Sequence, residues 1–419
     1  MIEEPSIVLR VTPEFSALSV PQVYVPPFGP AEYEGRLDRI RTEMESLNLD
    51  AVIISDPKSV WWLAAGKAKF EYADNPIWLI VPREDHGPVT AVVRHLERET
   101  FERSASNVVE EIAEYRDGGI VMPYDPVPVV ADVLRGFNVP GLGLGVAYRY
   151  FNVQDYARLK ELLPSAKHSN FPAEQVRAIK SAEELNVMSI AARVNAQALY
   201  KAIGELRIGS TEWDFMERIR QLHSELLGPD YGGTSESAQT AQFGSHAHDM
   251  HPKRLAAEMQ TMTAATNAAG NLEPGVFVKS YVGCMMRPVF FGDSAPDVVV
   301  RAIEASAEGL EDALAMMRPG VRFSDVDRVI REPMLKTGLE VRSRTGYGCG
   351  IEWDEGNAVS LAPGTEGVLQ EGHTLHVIAH TYGPYGFLGL SEQVTITNNG
   401  CRVLADEDAG CPRQLFLVT

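Results

Sequence analysis

The chain has 419 residues, 45% hydrophobic and 23% charged, with 38 Lys and Arg against 57 Asp and Glu for a net charge of −19. That length suits two domains, each burying a sizeable core. The acidic balance argues against a non-specific nucleic-acid role, which needs a basic footprint, and no stretch approaches the roughly 20 apolar residues of a membrane span. The opening MIEEPSIVLRV lacks the apolar core of a secretory signal. Cys284, Cys349, Cys401 and Cys411 show neither metal-site nor disulfide-scaffold spacing. They read as reduced thiols, and a cytoplasmic protein is expected.

Residues 1–30, rich in proline and β-branched side chains, read as an extended arm. AEYEGRLDRIRTEMESLNL then sets Leu37, Ile40, Met44 and Leu47 on one helical face, and the apolar run AVIISD reads as a buried strand. PKSVWWLAAG, PIWLIVP, PVTAVV and LGLGV continue the alternation of strand and helix. Residues 31–168 are therefore expected to form an α/β domain. PSAKHSNFPAE has loop composition and marks the boundary before a second domain over 172–419.

The second domain opens on a long helical stretch, EQVRAIKSAEELNVMSIAARVNAQALYKAI, interrupted at Lys180–Ser181. ALYKAIGELRIGSTEWDF and ALAMMRPGVRFSDVD share a helix, a basic residue, a glycine-containing turn, a Ser or Thr and an acidic helix start. Repeated helix pairs covering a shared sheet predict a pseudo-twofold α/β domain with ligands at the seam between its halves.

Three late blocks, GYGCGIEWDEG, LQEGHTLHVIAHTYG and GLSEQVTIT, together with R-x-x-K-S at Arg177, Lys180 and Ser181, resemble the creatinase, aminopeptidase P and methionine aminopeptidase (pita-bread) superfamily. The resemblance implies an N-terminal creatinase-like domain and a C-terminal pita-bread catalytic domain. It also implies that the usual dinuclear metal ligands are replaced. Tyr347 stands at the first histidine, Ile378 at a glutamate and Cys284 at an aspartate, while Thr263 falls near the other aspartate and Glu392 alone is retained. The stretch NAAGNLEPGVFVK reads as an enlarged hairpin connection.

In FGSHAHDMHPKR the resemblance places His246 on the catalytic histidine, with His248 and His251 on the same loop. Imidazole suits that role because its ordinary pKa lets it exchange protons near neutrality. Strand alternation puts His376, Ile378 and His380 on one face, and Asp354 and Glu355 stand where the family has a His–Glu pair. His246, Glu392 and Tyr347 are the candidate catalytic residues. His248, His251, Asp354, Glu355, His376, His380 and Arg287 are the candidate substrate-binding residues. His246, His248, His376, His380 and Glu392 also have the donor chemistry to rebuild a zinc or iron site, an alternative left open.

The metal-free creatinase-like and ectoine-hydrolase-like branches are the nearest in pattern. They imply a metal-independent acid/base enzyme, without a cofactor, hydrolysing a C–N bond of a small polar nitrogenous metabolite. A lyase, cyclase or dehydratase on the same scaffold, or a catalytically inactive binding module, are the alternatives. A homodimer is expected, with the loop carrying Lys67, Lys69, Phe70 and Tyr72 reaching the partner's site; neither nucleic acid nor membrane is an expected partner.

Overall fold

The computed structural model describes residues 26–65, 76–116, 125–231, 237–249, 269–405 and 411–419. The chain divides into two compact units after Phe171. The predicted arm up to residue 25, the Lys67–Tyr72 loop, Thr263 and His251 lie outside the described residues.

The first unit contains α1 (Pro30–Ser46), β1 (Ala51–Ile54), α2 (Pro57–Ala64), β2 (Trp78–Pro82), β3 (Thr90–Arg94), α3 (Arg98–Ser104), β4 (Glu111–Tyr115), α4 (Val127–Gly136), β5 (Gly143–Val146), α5 (Val153–Leu162) and β6 (Lys167–Asn170). Its mixed sheet runs β4-β3-β2-β1-β5-β6. β1 and β2 are buried on both faces, which is why their sequences are continuous apolar runs rather than alternating ones. α4 and α5 pack on one side of this sheet through Val130, Leu134 and Leu159.

The second unit repeats one arrangement of a helix pair and a sheet. After α6 (Ala173–Ala178), α7 (Ala182–Glu205) and α8 (Glu212–Tyr231) pack on the sheet of β7 (Ser237–Phe243), β8 (Ala269–Val278), β9 (Tyr281–Cys284) and β10 (Arg287–Phe291). Then α9 (Asp297–Met316) and α10 (Phe323–Lys336) pack on the sheet of β11 (Gly346–Gly348), β12 (Ser360–Leu361), β13 (Thr374–Gly383), β14 (Gly386–Ile396) and β15 (Cys401–Val403). A closing strand, β16 (Phe416–Val418), pairs parallel with β10. The sequence repeat thus marks the two helix pairs.

The helical break falls where Ser181 caps α7. Its side chain accepts from Glu184 N, and the Glu184 side chain accepts from Ser181 N in a reciprocal capping box. Glu184 also accepts from Tyr281 Oη at 2.6 Å, which ties the start of α7 to β9.

From Ala269 to Val278, NAAGNLEPGVFVK is a strand rather than a connection. It supplies β8, which continues into β9 through a two-residue turn at Lys279 (φ 47°) and Ser280 (φ 64°). Positive φ at both turn positions matches the right-handed twist of the flanking strands. Pro274 sits inside β8 where β9 gives way to β10, so its missing N–H breaks no ladder there.

Candidate active site

The inner faces of the two sheets meet, and strand register decides which side chains they present. Along β8 the inward positions are Asn271, Glu273 and Gly275. Gly275 pairs with Cys284 across the hairpin, so Cys284 shares that face. Along β13 the matching face carries His376, Ile378 and His380, paired with Gln393, Ser391 and Gly389 of β14. Polar bonds stitch the faces together. Asn271 Nδ2 donates to Phe387 O, Asn271 Oδ1 accepts from Gly389 N at 3.2 Å, and Met286 N donates to Ser391 Oγ at 2.8 Å. Gln393 accepts from Cys284 N at 3.3 Å and donates to Val282 O at 2.9 Å.

His376 lies at the centre of this meeting. Tyr347, its partner across β11 and β13, has its hydroxyl 3.2 Å from His376 Nδ1, and Ser391 Oγ lies 2.6 Å from Nε2. Trp353 Nε1 donates to Tyr347 Oη at 3.0 Å. Because the indole can only donate, the tyrosine's own proton is available to Nδ1, which leaves Nε2 protonated and directed at Ser391. Burial pushes the imidazole pKa down to about 3, so His376 stays neutral at ordinary pH. Burial also raises the Tyr347 phenol well above its usual value, and the neighbouring Glu273 adds to the shift.

Glu273 was not singled out by the sequence. Its carboxylate lies 4.0 Å from His376 Nε2 with 15% of the side chain exposed, and it makes no hydrogen bond to the described residues. Burial pushes its pKa up to about 7. The Trp353 ring covers Gly275, where an added Cβ would come within 2.1 Å of the indole. Met286, Ile378, Tyr382 and Phe387 form an apolar wall with Tyr347 against it.

The segment Gly244–His248 forms a 3-10 turn that packs on Gly386 at the start of β14, beside Phe387 of the wall. His246 Nδ1 lies 2.9 Å from Glu212 Oε2 and 3.1 Å from Oε1. Glu212 is fully buried at the start of α8 and also accepts from Phe243 N at 3.0 Å. This pairing fixes the ring and turns Nε2 away from the carboxylate. Glu212 is the second residue the sequence reading missed; the repeat contains it, but nothing local links it to a histidine 34 positions later. His248 is exposed on the same turn.

The remaining predicted residues are placed elsewhere. Glu392 pairs with Val377, one residue out of step with His376 and Ile378, so its side chain leaves the opposite face of the sheet. There Oε1 accepts from Arg287 Nη2 at 2.6 Å and Arg413 Nε at 2.9 Å. Ser391 takes the inward place expected for Glu392. Arg287 spends its other donors on the carbonyls of Met286, Ser391, Cys411 and Pro412, which leaves none for a substrate. Glu355 is buried between Lys180 Nζ at 2.8 Å and Arg177 Nη1 at 3.1 Å, an internal tie to the R-x-x-K-S segment. Asp354 is half-exposed and pairs with Arg344, whose guanidinium stacks 4.3 Å from the Tyr347 ring. His380 shares the His376 face but packs 4.9 Å from Phe387, and burial lowers its pKa to about 4. A separate groove on the outer side of α10, lined by Ser324, Arg328, Leu335 and Pro363, contains none of these groups.

The fold and this seam between two sheets define a pita-bread protein of the creatinase and aminopeptidase P superfamily. The chain belongs to the metallopeptidase family M24, whose model matches residues 186–402, and the creatinase/prolidase N-terminal domain model matches residues 36–179. It is 29% identical over 413 residues to an ectoine hydrolase of Halomonas elongata, covering 93% of this chain and 98% of that protein. Among solved structures, it is similar to the dipeptidase PepE from Mycobacterium ulcerans, with TM-score 0.76, 21% identity and coverage of 93% and 99% of the two chains. It is also similar to a prolidase from Thermococcus sibiricus, with TM-score 0.77, 18% identity and coverage of 93% and 100%.

The family name implies a metal, and the donors among the described residues do not fit one. Among the described residues no three His, Cys, Asp or Glu side chains converge as metal ligands. His376 has both ring nitrogens hydrogen-bonded within the protein, and Glu392 lies on the far face of its sheet. His246 pairs with Glu212, so the five residues considered for a rebuilt zinc or iron site are not brought together. Among the described residues no helix is long and apolar enough to cross a membrane.

Proposed function

We propose that this chain hydrolyses a C–N bond of a small nitrogen-containing metabolite, using acid/base chemistry of its own side chains in place of a two-metal centre. The observation that carries the reading is the Glu212–His246 pair, on a turn that packs beside Phe387 of the apolar wall, together with Glu273, whose carboxylate makes no hydrogen bond to the described residues. Its near full-length similarity to a protein named as an ectoine hydrolase supports small-molecule hydrolysis.

In this reading Glu212 holds His246 Nδ1–H, so that Nε2 is the basic nitrogen. Nε2 takes a proton from water as the water oxygen bonds to the substrate carbon. The same proton passes to the leaving nitrogen as the C–N bond breaks, returning His246 to its starting form. Glu273 and Tyr347 hold the substrate. Ser391, fed by neutral His376, directs a hydroxyl toward the developing charge.

His246→Gln is expected to lower kcat by about 10³-fold with little change in KM, the range for loss of a general acid/base. Glu212→Gln, a positioning change, is expected to lower kcat less than His246→Gln and to leave KM within about twofold. Steady-state kinetics across pH on a panel of amides, amidines and guanidines makes the check; an unchanged kcat in His246→Gln contradicts the assignment.

A further inference from the structure

Charges of both signs line one cavity of the first unit without being matched to each other. The cavity, about 560 Å³, lies between α1 and the turn that follows β2. That volume is in the range that holds a small metabolite. Arg41 is half-buried in its wall, with Nε shut off from solvent and bonded to no described residue. Helical spacing sets Asp38 one turn before Arg41 and Glu45 one turn after it. Both acids stay exposed, and among the described residues neither forms an ion pair with Arg41. Arg83 lines the same cavity. It donates through Nε to Leu49 O at 2.8 Å and through Nη2 to Asn48 Oδ1 at 3.4 Å, and Asp50 Oδ1 lies 3.8 Å away. Its Nη1 has no partner among the described residues. On the rim Glu84 is exposed and likewise unpaired among them, and Asp85 has only His86 Nε2 at 3.5 Å.

Two guanidinium groups lining one cavity repel each other. A carboxylate set between them removes that cost and accepts from their free N–H groups. An anion alone would lie beneath the exposed carboxylates of Asp38, Glu45, Glu84 and Asp85, whose field opposes it. A ligand that brings its own ammonium turns that rim to advantage, because a compact hydrated ammonium suits acids that remain in water. One turn of α1, about 5.4 Å, separates Arg41 from the acid on either side. Charged ends several bonds apart therefore fit better than the adjacent charges of an α-amino acid. Met44, also in the lining, offers an apolar contact to methylene groups between the ends. We propose that this cavity binds a small ω-ammonium carboxylate, its carboxylate between Arg41 and Arg83 and its ammonium among Asp38, Glu45 and Glu84. The site belongs wholly to the first unit and shares no residue with the seam of the two sheets. It goes beyond the hydrolase reading and does not rest on it.

Four probes of one chain length test it: 5-aminopentanoate, pentanoate, pentylammonium and pentanamide, titrated calorimetrically into the full chain at pH 7.5 and low ionic strength. 5-Aminopentanoate is expected to bind wild type at least fivefold more tightly than each of the others. Arg41→Gln is expected to abolish that binding. Asp38→Asn combined with Glu45→Gln is expected to keep binding of the carboxylate and erase the preference for 5-aminopentanoate over pentanoate. Because the Arg41 guanidinium has no partner among the described residues, Arg41→Gln is expected to melt within about 2 °C of wild type. His246→Gln is expected to bind 5-aminopentanoate as wild type does, which separates this cavity from the seam. Absence of 5-aminopentanoate binding, equal or tighter binding of pentanoate or pentylammonium, or binding retained in Arg41→Gln overturns the proposal. So does loss of binding in His246→Gln, which would place the ligand at the seam. An Arg41→Gln protein that melts well below wild type also overturns it, since the guanidinium would then serve the fold.

Discussion

Glu273→Gln is expected to lose at least 10³-fold in kcat/KM and at the same time to melt higher than wild type at pH 8. The two effects share one cause. In the unfolded chain the carboxyl titrates near its ordinary value, whereas burial pushes it up to about 7 in the fold. The folded state therefore binds the proton more tightly. The stability this contributes is fully present below the unfolded pKa and is lost as pH rises through about 7. A shift of that size corresponds to about 3 kcal/mol. Glutamine removes the cost of the buried charge, so the variant gains up to that amount at pH 8 and little below pH 4. His376, Tyr347 and Cys284, which face Glu273, are neutral across this range and do not obscure the titration. Melting temperatures from pH 4 to 8 with kinetics on the same samples provide the check. A variant that melts lower at pH 8 would mean Glu273 has an internal partner and is not held for a ligand. Activity and stability moving in opposite directions is the mark of a group kept for function.

Arg287→Met is expected to destabilise the protein by about 3–5 kcal/mol, the usual cost of removing one partner from a buried ion pair. Arg287 is fully buried, and its loss leaves Glu392 with Arg413 alone. It also strips donors from four carbonyls, two of them in the Cys411–Pro412 segment preceding β16. Lysine cannot reproduce the forked geometry, so Arg287→Lys is expected to recover less than half of the loss. Urea unfolding measures both. If Arg287→Met keeps its midpoint and instead raises KM, the guanidinium serves substrate after all.

Several parts of this account were legible in the residues. The R-x-x-K-S segment and GYGCGIEWDEG pointed to one fold, and they meet physically in the buried contacts of Glu355 with Arg177 and Lys180. Alternation along HTLHVIAH put His376 and Ile378 on a common face, and the register agrees. The misses have distinct causes. Glu273 was hidden because NLEPG has the composition of a turn, and Pro274 and Gly275 are poor strand formers. They are tolerated in β8 by an irregularity between β9 and β10 and by the Trp353 ring over Gly275. Glu392 was misassigned by a single register step, which in a strand exchanges the two faces. Arg287 kept its family position while its partners, 104 to 125 residues away, were invisible to local pattern. The Glu212–His246 contact likewise joins a helix start to a distant turn, which no periodicity reports.

The most direct test of the central claim is kcat/KM of fully metal-stripped protein on an amidine or amide it turns over, compared with the same protein after addition of manganese, zinc or cobalt. Chemistry carried by Glu212, His246 and Glu273 predicts equal values within twofold. Activity that disappears on stripping and returns with a stoichiometric metal would contradict it.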